Sequence, residues 1–479
     1  MARRVASITS GPRRLGCGPH DPRHCMLRSA ADPGGTARGA EHGADHRTDA
    51  EERVTLQHGQ TTTGRLGGLG RLAVATAMAI GLLAVPNTAM AAPTGPSPAT
   101  PEFYTVPNPL PAGEHGDLIK YRPQNASLQN LGATAYTIMY RSTGSSPNGD
   151  PLTPGAPSGV TGSVLIPKAP WRGAGPRPIV SFAVGTQGLG SNCAPSKALE
   201  NNRQYDVFGL GSMLLNGYAV LMTDYAGYTN GDVHTYIAGQ TLGHNVLDIV
   251  KAATQIPGSG LSPTAPVVLS GYSEGGQAVA WAGQLAPSYT PTLNLKGVAA
   301  GGVPTSLVAT ARSLDGGPYA GFLIDAVIGL NQAYPATPLR DLLNAKGVAA
   351  LDKAVRPQEC TLETILDFAT TRISTLTKDG SGLDQLLAIP EWQKVLAANE
   401  LGKLPIKAPV FLNGARSDDV IPPATQDALV TAYCGQGMTV QVARYPGIHV
   451  TGALTNQPDV ATFLRNRFND RAPVNNCPR

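Results

Sequence analysis

The 479-residue chain offers no convincing membrane span. Its candidate apolar run, residues 72–85 (LAVATAMAIGLLAV), has 14 residues, whereas a membrane helix needs ~20. Arg65 and Arg71 precede the run and Ala89-Met90-Ala91 follows it. A basic region, an apolar region and a small-residue cleavage site in that order are the pattern of a signal peptide. The segment 65–91 is therefore expected to be removed on secretion. Residues 1–64 are rich in Arg, Gly, Asp and His without apolar periodicity. They read as an extension outside the fold, with a translation start near Val54 as the expectation.

Net charge is the second thing lacking. Residues 92–479 hold 26 Lys or Arg and 26 Asp or Glu, so the formal +4 of the whole chain comes from the leader. No basic patch argues for nucleic acid or an anionic membrane surface as a partner. Cysteine is scarce too. Beyond the leader only Cys193, Cys360, Cys434 and Cys477 remain, and none has the spacing of a metal site. An even count in an exported chain predicts two disulfides, with three pairings open. Histidine is limited in that region to His115, His234, His244 and His449. No internal repeat is present.

What is there is an alternation of strand and helix signals. A Pro-rich lead-in (residues 92–112) precedes an expected antiparallel pair at 135–140 and 160–166. Short apolar runs follow at 178–184, 218–223, 266–269, 295–300, 409–412 and 439–443, several without polar alternation, as strands buried on both faces read. Helical patterns at 243–256, 277–285 and 425–433 lie between them. The expected fold is α/β, a mostly parallel central sheet with helices on both faces. Residues 306–402 carry helical signals (323–330, 339–346, 362–375) and no good strand. They read as a helical cap inserted between a first core part, 92–305, and a second, 403–479.

The chemistry-bearing motif is Gly271-Tyr272-Ser273-Glu274-Gly275, a G-x-S-x-G. Among 56 glycines the pattern alone is weak. Its context, a strand before and a helix after, is what a nucleophile elbow requires. A serine hydroxyl needs a base, usually histidine. His449 is the one histidine downstream, just past the last strand. An acid must hold the imidazole, and Asp418 and Asp419 both follow the 409–412 strand in the chain order Ser, Asp, His. From the residues alone these two are nearly even. The oxyanion of acyl transfer needs two N–H donors. The residue after the nucleophile, Glu274, supplies one, and the loop Gly185-Thr186-Gln187-Gly188 the other, with Gln187 favoured over Thr186.

These motifs resemble the secretory lipase family of the α/β-hydrolases. The resemblance covers roughly 103–455. It includes Phe103–Pro107 (FYTVP), Val180–Phe182 (VSF), Asn192–Ser196 (NCAPS), the Gly271–Ser273 elbow, Asp418–Pro422 (DDVIP) and Tyr445–His449 (YPGIH). It implies an α/β-hydrolase core with a helical lid, Ser273 as nucleophile, Asp418 as acid, His449 as base and Gln187 as first oxyanion donor. It also implies the pairings Cys193–Cys360 and Cys434–Cys477. The chain departs from the pattern twice: Gln187 stands where the family's type has Asp, and Glu274 where it has Gly. The reaction implied is hydrolysis of acyl esters, lipid esters among them, with no metal or cofactor and with transient contact to a lipid surface. A peptidase or an acyltransferase on the same fold would carry the same motifs.

Overall fold

A computed structural model of the chain describes residues 101–477 apart from 126–129, 131 and 151. The extension 1–64 and the signal segment 65–91 lie outside the described residues. Nine strands are described: β1 Leu118–Pro123, β2 Ala133–Thr143, β3 Pro157–Pro167, β4 Ile179–Ala183, β5 Ala219–Thr223, β6 Val267–Tyr272, β7 Leu295–Gly301, β8 Val410–Ala415 and β9 Val440–Tyr445. They form one sheet in the order β1-β2-β3-β5-β4-β6-β7-β8-β9. The pairs from β1 to β5 are antiparallel, and those from β5 through β4 to β9 are parallel. Every residue of β4 and β5 is buried, which is why those runs lack polar alternation.

The sequence reading misses β1. Its residues, LIKYRP, form a half-exposed edge strand with Lys120 and Arg122 in it, and so contain no apolar run. Charged residues are what such an edge tolerates.

Helices cover both faces of the parallel part. Pro195–Glu200 (α1) and Val207–Leu215 (α2) lie between β4 and β5, Gly239–Thr254 (α3) between β5 and β6, and Glu274–Tyr289 (α4) follows β6. Between β7 and β8 come six more: Leu307–Leu314 (α5), Ala320–Ala333 (α6), Ala345–Ala354 (α7), Thr361–Phe368 (α8), Leu383–Leu387 (α9) and Pro390–Ala398 (α10). No strand interrupts them among the described residues, in keeping with the helical reading of 306–402. Two details differ from expectation. Residues 339–346 are not one helix: a 3-10 turn at Arg340–Leu342 ends, and Asn344 caps α7 by accepting from the Gly347 N–H at 2.9 Å. Residues 362–375 also break. The weak helix formers Thr370 and Thr371 follow α8, Thr370 turns to φ 62°, and a 3-10 turn at Ile373–Thr375 comes after.

The chain then returns for β8, Pro423–Gly435 (α11), β9, His449–Thr455 (α12) and Gln457–Phe468 (α13). Both disulfides have the pairing the resemblance implies. Cys193–Cys360 joins the stretch after β4 to the segment before α8, and Cys434–Cys477 joins α11 to the tail. The tail lies along β9, where the Asn476 N–H donates to the Val440 carbonyl and its side-chain oxygen accepts from the Val442 N–H. An edge that would otherwise present open backbone groups is thereby partly covered.

Register decides where the site falls. Ala183 pairs with Gly271, Gly271 with Ala300, and Gly301 with Asn413. The C-terminal ends of β4, β6, β7 and β8 are therefore level, and the loops leaving them share one rim. In open parallel sheets that rim is where ligands bind.

Candidate active site

The elbow starts from a packing requirement. β6 must turn within one residue into α4, and the helix start then runs against the end of β4. A Cβ on Gly275 would collide with the Ala183 carbonyl, and one on Gly276 with the Gly301 carbonyl, so only glycine fits. Ser273 at the apex takes φ 62°, ψ −125°, outside the ordinary range of an L residue. Its N–H donates to the Gly301 carbonyl at 2.9 Å and its carbonyl accepts from the Gln277 N–H at 3.0 Å. Strain at this position is held by bonds on both sides and leaves the hydroxyl standing clear of the backbone.

The structure brings Ser273, His449 and Asp418 together. His449 Nε2 lies 2.9 Å from Ser273 Oγ, and Nδ1 lies 2.9 and 2.8 Å from the two oxygens of Asp418. A carboxylate only accepts, so Nδ1 carries the proton and Nε2 presents its lone pair to the serine. Asp418 in turn accepts from the N–H groups of Val420 and Ile421, at 3.1 and 2.8 Å. Asp419 does not reach the ring. It accepts from the His449 backbone N–H at 3.1 Å and from the Tyr319 hydroxyl at 3.2 Å. The loops after β8 and β9 are pinned to each other, Ser417 N–H to Gly447 carbonyl, which aligns acid and base. The Tyr272 hydroxyl donates to the His449 carbonyl, and Gly302 (φ 52°) leaves room for the imidazole: a Cβ there would lie 3.0 Å from its Cε1.

Gln187 lies in the loop leaving β4, on the same rim. All five carbonyls of that loop are engaged. Val184 accepts from the Tyr225 hydroxyl, Gly185 from the Gln187 side chain, and Thr186 from Tyr205 and Thr361. Gln187 accepts from the Thr361 N–H, and Gly188 from the Tyr228 hydroxyl. The backbone N–H of Gln187 has no acceptor among the described residues. Neither has that of Glu274, the first residue of α4, where a helix leaves its N–H groups free. Thr186, the runner-up, turns its hydroxyl to Tyr236 at 2.8 Å.

The other histidines sit elsewhere or do something else. His115 pairs with Asp248 at 2.8 Å. His244 donates toward the Thr143 carbonyl, and burial pushes its ring down to about 4, so it stays neutral. His234 belongs to the site's surroundings in a way the sequence reading misses: its Nε2 lies 2.7 Å from Oε1 of Glu274. Both residues are 1% exposed. A carboxylate one residue from the nucleophile and drawn into the interior needs a partner, and that need was the available signal.

An apolar cavity opens from Ser273 and Glu274 into the inserted helices. α5, α6, α9 and α10 supply most of its wall, including Leu307, Leu330 and Trp392, and the loop after β8 adds Val420 and Ile421. Among the described residues no cluster of three or more His, Cys, Asp or Glu is arranged to hold a metal ion.

A family model described as secretory lipase matches residues 194–476. A secreted triacylglycerol lipase, LIP3, of Malassezia restricta is 30% identical over 399 residues, covering 78% of this chain and 81% of that protein. Lipase A of Arthroderma benhamiae is 29% identical over 401 residues, covering 79% and 81%. Among solved structures, Candida antarctica lipase A in its closed state superposes with a TM-score of 0.70 at 25% identity, covering 80% of this chain and 91% of that one. The rice cell wall degrading esterase LipA from Xanthomonas oryzae shares the fold at 18% identity, with a TM-score of 0.60.

Proposed function

This chain belongs to the secretory lipase family, and on that premise we propose that it is a secreted carboxylic-ester hydrolase acting on lipid esters. The observation that carries the reading is the unbroken hydrogen-bond chain Ser273–His449–Asp418 opening onto an apolar cavity.

In the proposed reaction His449 Nε2 takes the Ser273 proton as Oγ attacks the ester carbonyl. Asp418 holds the Nδ1 tautomer and stabilises the imidazolium that forms. The N–H groups of Glu274 and Gln187 receive the oxyanion. The alcohol leaves with the proton from His449. Water, deprotonated by the same ring, then cleaves the acyl-enzyme and frees the acid. The acyl chain occupies the cavity, and the inserted helices 307–398 act as its cap. A cavity with so few polar groups suits a hydrocarbon chain better than a peptide backbone, whose N–H and C=O groups would go unpaired.

The test is turnover of p-nitrophenyl esters by the exported protein. Wild type should hydrolyse them, and Ser273→Ala should reduce kcat by at least about a thousandfold. Full activity in Ser273→Ala, or cleavage of p-nitroanilides in preference to esters, would overturn the reading.

A further inference from the structure

Glu274 and His234 form a pair whose proton count follows from geometry. His234 Nδ1 lies 3.0 Å from the Ala226 carbonyl, which can only accept, so Nδ1 carries a hydrogen. His234 Nε2 and Glu274 Oε1 are 2.7 Å apart. Two lone pairs would repel at that distance, so a second proton lies between them. Whether it rests on the imidazole or on the carboxyl, the pair carries no net charge. Tyr225 and Tyr228 stack on the ring, at 5.5 and 4.9 Å between centroids, and close it off from water. The second carboxyl oxygen, Oε2, is buried without a hydrogen-bond partner among the described residues, a poor place for an uncompensated charge.

The same residue that bears this carboxyl bears one of the two N–H groups assigned above to the oxyanion. An ionised, unpaired carboxylate there would oppose negative charge on the neighbouring tetrahedral intermediate in a site of low dielectric. We propose, resting on the hydrolase reading above, that the Glu274–His234 pair is a charge-neutral unit whose purpose is to let an acidic residue occupy the elbow without repelling the oxyanion. His234 acts on the reaction only through Glu274.

The other ionisable groups around the pair are the hydroxyls of Tyr205, Tyr225, Tyr228 and Tyr236 and, from α6, Asp325, with Glu359 beyond it and Asp206 beside Tyr205 and Tyr225. Burial of its carboxyl pushes Asp206 up to about 7, and it is common to every protein of the test below. No cation other than His234 is among them. Burial raises the Glu274 carboxyl above its usual range, so without His234 it keeps its proton at acid pH and loses it as pH rises.

The experiment measures kcat and KM for a p-nitrophenyl ester from pH 6 to 9 in wild type, His234→Gln, Glu274→Gln and the double variant. In His234→Gln, kcat should fall ten- to a hundredfold relative to wild type toward the alkaline end, with KM changed less than about threefold. Adding Glu274→Gln removes the carboxylate, and kcat at alkaline pH should recover to within about fivefold of wild type. A merely structural role for His234 predicts no such rescue. A pH-independent loss in His234→Gln that Glu274→Gln does not relieve would overturn the proposal. Should His234→Gln fail to fold, His234→Asn takes its place, with and without Glu274→Gln: recovery of alkaline kcat in the double variant supports the proposal, and its absence overturns it. An inactive wild type would defeat the hydrolase reading itself, whereas an active wild type without rescue defeats only the neutral pair.

Discussion

Asp418 and Asp419 are neighbours in sequence with different contacts, and that difference is measurable. Asp418→Asn removes the carboxylate that holds the imidazole and permits the wrong tautomer. Its kcat on a p-nitrophenyl ester should fall about 10³- to 10⁴-fold. Asp419→Asn keeps an acceptor for the His449 N–H and should lose less than about tenfold in the same assay. Glu359 gives a second expectation at this scale. It is 3% exposed, and burial, followed by the nearby Asp367, pushes its carboxyl up to about 6. An acid raised in the folded state binds its proton more tightly there than when unfolded. The folded state is therefore favoured below the ordinary glutamate range, and that advantage is lost as pH rises through about 6. Calorimetric Tm should fall between pH 4.5 and 7, and Glu359→Gln should flatten that part of the curve. The meeting of Ser273 with His449 was legible because an elbow motif and a shortage of histidine leave few choices. The selection of Asp418 over Asp419 was not legible from the residues, since it depends on how the Asp418 carboxylate folds back onto the N–H groups of Val420 and Ile421. His234 was missed because its partner lies 40 positions away on a different element.

Among elements, the loop leaving β4 depends on the insertion. Thr361 bonds to Thr186 and Gln187, the Gly190 N–H to the Glu359 carbonyl, and Cys193 to Cys360. This bridge closes 167 residues of chain. Replacing both cysteines by serine should cost about 2–5 kcal/mol in denaturant unfolding. It should also lower kcat more than it raises KM, because the loop carrying the Gln187 N–H loses an anchor. The inner strands were readable from uninterrupted apolar runs, since burial on both faces imposes that pattern. β1 was unreadable for the converse reason. Within 306–402 the helical class was legible but the breaks were not: Leu339, Leu342 and Leu343 are spaced as on a helix face, yet the side chain of Asn344 starts a new helix there.

For the whole molecule, loops on one rim of the sheet carry Ser273, Asp418 and His449, and the insertion supplies most of the apolar wall beside them. Narrowing that wall should change substrate preference without touching the chemistry. Ala326→Trp, on the cavity face of α6, should lower kcat/KM for esters of twelve or more acyl carbons at least tenfold while leaving butyrate esters within about threefold. A matched series of p-nitrophenyl esters reads both. The bridge at Cys360 has a further consequence for how such a substrate would enter. A cap joined covalently to its base near its midpoint cannot lift away as one rigid piece. On the function proposed above, a long acyl chain should instead be admitted by α5–α7 on one side, or α9 and α10 on the other, swinging about the tether at residue 360. Labels on either flank should then change separation while a label beside that cystine holds still.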